Sequence, residues 1–319
     1  MNPMRELITT RHNELVDPLL KVWGAEIAVY LFLGGMVAGM IIILGYFLFK
    51  GRHKELRCSC ALLPGLCIIL LSLGMLALFL DLEHKWYFWR MYLTFEPASP
   101  MSWGAWILLL VYPALLAALL LRLPEPLKTA SPSIKSAVDK ILENGALVRT
   151  IGISNMVLGA MLGIYTGILL SSLGARPLWN SSLLGPLFLV SGLSTAAAFV
   201  HLIARDPYER VLLAKADNGF LSTELLVIFL FITGLLSSTE VHIKSAQLIL
   251  NGPYAPVFLV FVVCLGIVIP LFIQSLAVSR RIRHTPVAPI MVIAGGFILR
   301  LVIVYAGQAS HWNMISALK

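Results

Sequence analysis

Eight long apolar runs, separated by shorter polar segments, follow one another along the chain. The hydrocarbon core of a bilayer is about 30 Å thick, so a helix needs roughly 20 apolar residues to cross it. Each run has about that length and ends at charged residues, at proline or at a Gly-Pro pair, which interrupt apolar helices. The pattern therefore predicts eight transmembrane helices, at residues 24–49, 60–80, 102–121, 151–173, 183–204, 220–238, 255–278 and 287–307.

The composition supports the same fold class. Apolar residues make up 59% of the 319 residues and charged residues only 13%, whereas a soluble domain carries about 25% charged residues. The net charge of +8 does not come from a basic stripe with interleaved aromatic residues, so it does not indicate nucleic-acid binding. We expect an all-α integral membrane protein without a soluble domain.

The basic residues indicate how the chain is oriented. Fifteen of the 24 Lys and Arg residues lie in the loops that follow odd-numbered spans, eight lie in the opposite loops and tails, and Arg300 lies inside the last span. Because basic loops stay in the cytoplasm, both termini are predicted to be extracytoplasmic. The exterior loop before the third span is rich in Trp, Tyr and Phe, as expected of an interfacial aromatic belt.

The longest cytoplasmic connection is predicted to divide the spans into two groups. It is polar and proline-rich, with one short amphipathic stretch near Ile134–Leu142. We expect two four-helix bundles on either side of it. The predicted units are an exterior tail at 1–22, a first bundle at 23–122 and 150–173, a cytoplasmic linker at 123–149, a second bundle at 174–308 and an exterior tail at 309–319.

The chain carries no motif for a redox centre of its own. A membrane haem commonly needs two buried histidines at matching depth, and of the seven histidines His201 alone falls inside a predicted span. No CxxC pairs, phosphate-binding loop or dinucleotide-binding glycine pattern is present. Cys58 and Cys60 lie in a basic loop predicted to be cytoplasmic, where thiols stay reduced. We therefore expect no haem, iron–sulfur cluster or metal site in this chain.

Polar side chains gather at the predicted outer ends of the first four spans. Glu26 and Tyr30 share one face of the first helix because they are four residues apart, and Asp81 and His84 follow the second span. With Tyr165 of the fourth span, they could bind a quinol and accept its protons. The alternative is structural, with Glu26 acting as an interfacial anchor.

Ionisable residues inside the other spans have two interpretations. A charge at the bilayer centre costs about 2.5–3.5 kcal/mol on insertion scales, so such a residue is a candidate functional group. Arg300 could form a structural ion pair with an acid on a facing helix, or it could belong to a proton path. Glu224 and His201, with Asp217 near them, could extend such a path inwards, and Asp81 is a further candidate.

Several stretches resemble the NrfD/PsrC family of integral membrane subunits of polysulphide reductase, nitrite reductase and related complexes. The block Ser99-Pro-Met-Ser-Trp-Gly-Ala-Trp106 is the most specific of them. The others are Trp23, Glu26 and Tyr30–Gly35 in the first span, Tyr165–Gly167 in the fourth, Pro177–Asn180 before the fifth, and Gly295, Gly296, Leu299 and Arg300 in the eighth.

The resemblance implies a quinone-interacting membrane anchor in a prokaryotic cytoplasmic membrane. Its cofactor would be exchangeable menaquinone or ubiquinone, bound near the outer face of the first bundle. Its partners would be a ferredoxin-like iron–sulfur subunit at the exterior face and a catalytic molybdopterin or multihaem cytochrome subunit, so the chain would not be catalytic alone. The resemblance matches Tyr165 to a quinone-contacting tyrosine, whereas Ile27 and Tyr30 stand where the polysulphide reductase member has Asn and His. Glu26, Tyr30 and His84 would replace those contacts.

Two other functions compete with quinone exchange. The segments Leu31-Phe-Leu33 and Leu187-Phe-Leu189, each followed by small residues, suggest a repeat of the four-helix unit. A repeat and a buried arginine would fit a secondary transporter, but the first and fifth spans run in the same direction, unlike inverted repeats. The third possibility is a purely structural membrane anchor.

Overall fold

The computed structural model describes residues 23–52, 58–82, 84–121, 132–279 and 285–312. The predicted tail at 1–22, most of the proline-rich part of the linker, Glu83 and residues 313–319 lie outside them. In the described part the chain is an all-α membrane protein with eight helices long and apolar enough to cross a bilayer. These helices, spans 1 to 8, are Ala25–Phe49, Leu63–Asp81, Pro100–Leu120, Gly145–Ser171, Leu184–Ile203, Pro207–Leu236, Val257–Val278 and Val287–Ala309.

The eight predicted spans are confirmed, but spans 4 and 6 begin earlier than their apolar runs. Asn144 caps span 4, because its side chain accepts hydrogen bonds from the backbone N–H groups of Ala146 and Leu147. Asp206 caps span 6 by accepting from the N–H of Tyr208, and Pro207 occupies the first turn. These caps satisfy backbone donors at the helix start, so both helices continue beyond the hydrocarbon region.

Shorter helical regions also lie outside the spans. The amphipathic stretch predicted in the linker forms a helix at Pro132–Glu143. A second helix, Glu240–Leu250, fills the connection between spans 6 and 7 and was not predicted. Between spans 2 and 3 the chain forms the short turns Lys85–Tyr87 and Arg90–Leu93.

The helix contacts place span 1 at the centre of the molecule. Spans 1 to 4 pack in the cyclic order 1–2–3–4, and spans 5 to 8 pack in the order 5–6–7–8. Span 5 also packs extensively against spans 1 and 4, and span 8 contacts span 1. Since these contacts join the two groups closely, the division into two separate bundles stays a prediction.

Small residues allow the central helices to approach closely. A Cβ added to Gly39 of span 1 would lie 2.5 Å from the Gly192 carbonyl oxygen of span 5, and one added to Gly266 of span 7 would lie 2.8 Å from the Gly295 Cα of span 8. Membrane helices associate mainly through such close packing, because lipid offers no hydrophobic driving force between them. Gly39 follows the segment Leu31–Leu33 and Gly192 follows the similar segment Leu187–Leu189. The small residues after these two segments therefore meet where spans 1 and 5 cross.

Span 7 changes its helical form along its length. Val257–Val268 is a π-helix and Ile269–Val278 is an α-helix with Pro270 in its first turn. Proline lacks an N–H and crowds the carbonyl four residues before it. The change of hydrogen-bonding pattern at Pro270 follows from both properties.

The two membrane faces of the bundle differ in chemistry. One face, here the aromatic face, carries residues 84–95 and the described ends of the chain. There the Trp23 N–H donates to the side-chain oxygen of Gln308 (3.1 Å), and the Gln308 amide donates to the Trp23 carbonyl (2.9 Å). The opposite or basic face carries Lys50, Arg52, Arg205 and Arg210.

At the basic face, the connection between spans 1 and 2 is joined to the start of span 6. Arg52 pairs with Asp206 and approaches Glu209 at 3.7 Å. Cys58 and Cys60 flank Ser59, whose hydroxyl donates to Glu209, and they are joined in a disulfide, which differs from the expectation of reduced thiols. The tight turn at Ser59–Ala61 brings the two side chains together.

Candidate functional site

A cavity of about 380 Å³ opens near the aromatic face, between span 2, span 3 and the short turns that precede span 3. Pockets for small molecules usually measure about 300–1,000 Å³ and combine apolar walls with a few polar groups. Here the polar groups are the hydroxyls of Ser72, Tyr92 and Tyr112, and the Ser72 and Tyr112 oxygens are 3.1 Å apart. The remaining lining residues are Met75, Leu76, Leu78, Phe79, Leu82, Phe88 and Met91.

The short turns after span 2 form the outer wall of this cavity. Phe88 packs edge-on against Phe79, with ring centroids 5.9 Å apart, and Arg90 stacks over the ring of Tyr87. Tyr92 follows on the short helix Arg90–Leu93 and is partly buried. Burial and the neighbouring Tyr112 phenol raise the pKa of Tyr92, so its hydroxyl stays protonated and able to donate.

Two further phenols continue from the cavity into the protein. Tyr30 of span 1 and Tyr165 of span 4 are both buried, and their hydroxyls lie within hydrogen-bonding range of each other. Tyr92 interacts electrostatically with both, and Tyr112 interacts with Tyr92. Electrostatic interactions therefore link the four tyrosines, from the cavity lining to the interior of spans 1 to 4.

Gly104 makes room for the inner end of this group. A Cβ added to Gly104 would lie well under 3.0 Å from the ring and hydroxyl of Tyr165, closer than real Cβ contacts come. Gly104 belongs to the block Ser99–Trp106, and Tyr165 begins the segment Tyr165–Gly167. Two of the sequence segments that carried the family resemblance therefore meet at one contact.

The rest of the block Ser99–Trp106 holds the loop before span 3. The Ser102 hydroxyl donates to the Thr94 carbonyl (3.3 Å) and accepts from the Glu96 N–H (3.1 Å). The Trp103 indole N–H donates to the Pro97 carbonyl at 2.8 Å. These bonds fix the loop that leads from Tyr92 to Gly104.

None of the four predicted quinone ligands is among the residues that line the cavity. Glu26 is exposed at the start of span 1, and His84 is exposed in the turn after span 2. Glu26 is close enough to Asp81 for their carboxylates to interact electrostatically. Of the four predicted quinone-binding residues, the structure brings together Tyr30 and Tyr165, and it places Glu26 and His84 at the surface.

Arg300 is completely buried in the middle of span 8. Its guanidinium donates to the Ser191 hydroxyl, to the Gly296 carbonyl (2.9 Å) and to the Phe188 carbonyl (3.1 Å). Glu224 of span 6 is also buried, is within hydrogen-bonding range of Ser191 and attracts Arg300 electrostatically. The structure thus brings Arg300 and Glu224 together through a shared serine.

The remaining candidates for a proton path lie apart from one another. His201 is buried near the basic end of span 5, two helical turns beyond Ser194. Asp81 ends span 2 at the aromatic face. Asp217 lies between His201 and Glu224 in depth and accepts hydrogen bonds from Ser194 and Gln274, each at 2.7 Å. Within the described residues, direct contacts do not connect Asp81 with the other candidates for a proton path.

Sequence reasoning missed the polar groups that line the cavity. Tyr92 was included only in the aromatic belt, and Ser72 and Tyr112 lie inside apolar runs without any motif. The available signal was the presence of hydroxyl side chains in spans 2 and 3, since such groups cost free energy in lipid unless they are paired or face a cavity.

Known proteins resemble this chain over most of its length. Protein NrfD homolog of Haemophilus influenzae is 27% identical over 304 residues, covering 90% of this chain and 94% of that protein. The C subunit of polysulfide reductase from Wolinella succinogenes is 29% identical over 306 residues (90% and 94%). Protein NrfD of Escherichia coli is 30% identical over 308 residues (90% and 95%).

The family described as "Polysulphide reductase, NrfD" matches residues 10–311. This range includes all eight spans, the cavity and the buried Arg300. The family resemblance predicted from the sequence is thereby confirmed, and the chain belongs to the NrfD family of polysulphide reductase membrane proteins.

Proposed function

We propose that this chain is the membrane subunit of a respiratory oxidoreductase complex and exchanges electrons with the quinone pool at the cavity of spans 2 and 3. The observation that carries the proposal is the combination of apolar walls with the phenols of Tyr92 and Tyr112. A quinone has a flat apolar ring and two oxygens that accept hydrogen bonds. Phenols donate such bonds without bringing a charge into the membrane.

The exposed side chains around the cavity suit a ligand that arrives from the lipid. Leu73, Leu76 and Leu80 of span 2 are exposed along one side of that helix. A prenyl tail could lie against this apolar surface while the ring enters the cavity. The Tyr30–Tyr165 pair, behind Tyr92, would receive protons from a bound quinol or supply them to a bound quinone.

The electrons would leave through another subunit. One relative is named as the C subunit of polysulfide reductase, which indicates that this relative works with other subunits. For the present chain we propose a ferredoxin-like iron–sulfur subunit at the aromatic face and a catalytic molybdopterin or multihaem cytochrome subunit beyond it. The membrane would be the prokaryotic cytoplasmic membrane, with both termini outside, and the quinone would be menaquinone or ubiquinone.

Binding of a quinone-site inhibitor tests this site directly. The full-length chain in lipid nanodiscs would be titrated with 2-heptyl-4-hydroxyquinoline N-oxide, whose fluorescence is quenched on binding. A hydrogen bond contributes about 0.5–1.5 kcal/mol, so Tyr92→Phe and Tyr112→Phe should each weaken binding by roughly 2- to 10-fold. Ser72→Phe, which fills the cavity, should abolish measurable binding.

Tyr254→Phe is the matched control. Tyr254 lies near the same face of the membrane but in the second half of the chain, where its hydroxyl donates to the Tyr305 carbonyl at 3.4 Å. Its replacement should leave the affinity unchanged. Equal affinity in the wild type, Ser72→Phe and both cavity tyrosine variants would rule out this cavity, and no binding to the wild type would favour a purely structural anchor.

A further inference from the structure

Span 6 carries three buried carboxylates on one face, Glu209, Asp217 and Glu224. They are spaced by eight and seven residues, about two turns of an α-helix in each case, so they lie on one side of it. At 1.5 Å per residue, the fifteen residues from Glu209 to Glu224 cover about 22 Å. This acidic face therefore extends from the basic face of the membrane to its middle.

Each carboxylate has a serine hydroxyl as a partner. The Ser59 hydroxyl donates to Glu209 at 2.6 Å, and the Ser194 hydroxyl donates to Asp217 at 2.7 Å. Glu224 is within hydrogen-bonding range of Ser191, which in turn accepts from Arg300. A hydroxyl can donate and accept at once, so it can pass a proton between two neighbouring groups.

The charges around Asp217 and Glu224 do not balance when both are ionised. The described groups that face the pair from the packed helices include one permanent cation, Arg300 of span 8. Isolated charge is very costly in an apolar interior, and a buried group neutralises by changing its protonation state instead. One guanidinium balances one carboxylate, so the other carboxyl retains a proton. Glu224 is nearer to Arg300 through Ser191, and Asp217 is the group left to hold that proton.

The other neighbouring elements bring few titratable groups to this region. Span 5 contributes Ser191, Ser194 and Thr195, with His201 two turns towards the basic face. The second part of span 7 has no titratable side chain in its Ile269–Val278 helix and contributes Gln274. The remaining titratable groups of packed elements are Cys264, which is exposed, and Glu240, His242 and Lys244, which lie on the helix beyond the opposite end of span 6.

The hydrogen bonding of Gln274 independently supports a protonated carboxyl at Asp217. Its side-chain nitrogen donates to Asp217, whereas its side-chain oxygen is buried and has no hydrogen-bond partner among the described residues. A buried acceptor without a partner costs about 1–3 kcal/mol. Rotation of the amide would turn this oxygen towards Asp217, where it would accept a hydrogen bond from the protonated carboxyl.

We propose that the acidic face of span 6 is a proton-transfer route between the basic face of the membrane and Arg300, with Asp217 as the group that holds an exchangeable proton. A proton taken up at Glu209 would reach Asp217 through intervening water. The O–H bond on Asp217 would then break as an O–H bond forms on the Glu224 carboxylate. The route would serve the proton chemistry of the proposed quinone reaction, although proton binding at Asp217 does not depend on that reaction.

Infrared spectroscopy of the full-length chain in nanodiscs tests the proposal. Difference spectra between acidic and alkaline buffer should contain the C=O stretching band of a buried protonated carboxyl. Asp217→Asn should remove this band, and Ser194→Ala, which deletes one hydrogen bond to the same carboxyl, should shift its frequency. Glu240→Gln is the control, because Glu240 is exposed and pairs with Lys244 at the aromatic face; it should leave the band intact.

Two results would overturn the assignment, namely a band that persists unshifted in Asp217→Asn and Ser194→Ala, or no such band in the wild type. The thermal unfolding of each variant would be measured alongside. If Asp217→Asn does not fold, the frequency shift in Ser194→Ala decides the matter. Inhibitor affinity separates this test from that of the quinone site, because Asp217→Asn should bind 2-heptyl-4-hydroxyquinoline N-oxide as the wild type does.

Discussion

Replacing Gly104 with alanine is expected to lower quinol-dependent electron transfer about tenfold or more. The added methyl group would occupy the position of the Tyr165 ring and hydroxyl, so the ring must leave its present position near Tyr30. Overpacking of this kind costs about 1–3 kcal/mol in stability, and displacing a reacting group by about 1 Å can cost a hundredfold in rate. The measurement is quinol oxidation by membranes that contain the assembled complex.

Gly65→Ala is the matched control for this experiment. Gly65 lies in span 2, and a Cβ added there meets no other atom within 4 Å. The control should therefore keep wild-type turnover. If Gly104→Ala reaches the same turnover as Gly65→Ala at equal complex levels, the position of Tyr165 does not matter for quinone chemistry.

Replacing Arg300 with methionine is expected to destabilise the protein by about 3–5 kcal/mol, as removal of one partner from a buried, electrostatically coupled pair of charges usually does. The variant loses three hydrogen bonds and leaves Glu224 without its cation in the membrane interior. Thermal unfolding of the purified chain in detergent would report the change. Lys244→Met should cost at most about 1 kcal/mol, because its partner Glu240 is exposed.

A second substitution separates the electrostatic coupling of Arg300 and Glu224 from simple loss of packing. In Arg300→Met combined with Glu224→Gln, the neutral amide no longer needs a cation. The double variant should therefore be more stable than Arg300→Met alone, and the difference measures the coupling between the two residues. Additive effects of the two substitutions would show that Arg300 and Glu224 are independent.

The spans themselves were predictable because lipid imposes a simple requirement. Every backbone polar group in the hydrocarbon must bond within the chain, so a run of about 20 apolar residues has to be a helix. The starts of spans 4 and 6 were harder, since Asn144 and Asp206 cap helices that continue into polar sequence. Hydropathy alone marks where a helix enters the lipid and does not mark where it begins.

The candidate site was only partly predictable. The resemblance to the family singled out Tyr165, and spacing placed Tyr30 beside Glu26, yet Glu26 points to the surface in the structure. Tyr92 and Tyr112 meet at the cavity because the turns after span 2 pack beside spans 2 and 3. Such contacts depend on long-range packing, which a helical period does not describe.

The same distinction applies to the buried charges. A structural ion pair between Arg300 and an acid on a facing helix was one of two interpretations of the sequence; the structure gives Glu224 an electrostatic interaction with Arg300, with Ser191 as a shared neighbour. Glu209 was overlooked because it lies in what the hydropathy pattern assigned to a loop. Its burial depends on Ser59 and Arg52, about 150 residues away in the chain, and no local pattern reveals such a partner.

The pair of hydrogen bonds between Trp23 and Gln308 has a consequence for protein engineering. It brings the start of span 1 and the end of span 8 together at one membrane face, and closely placed ends are what circular permutation requires. A permuted gene could join residues 23 and 312 by a short linker and open the chain between spans 3 and 4. The two ends created there would lie at the opposite side of the membrane, where a reporter could be fused without approaching the cavity.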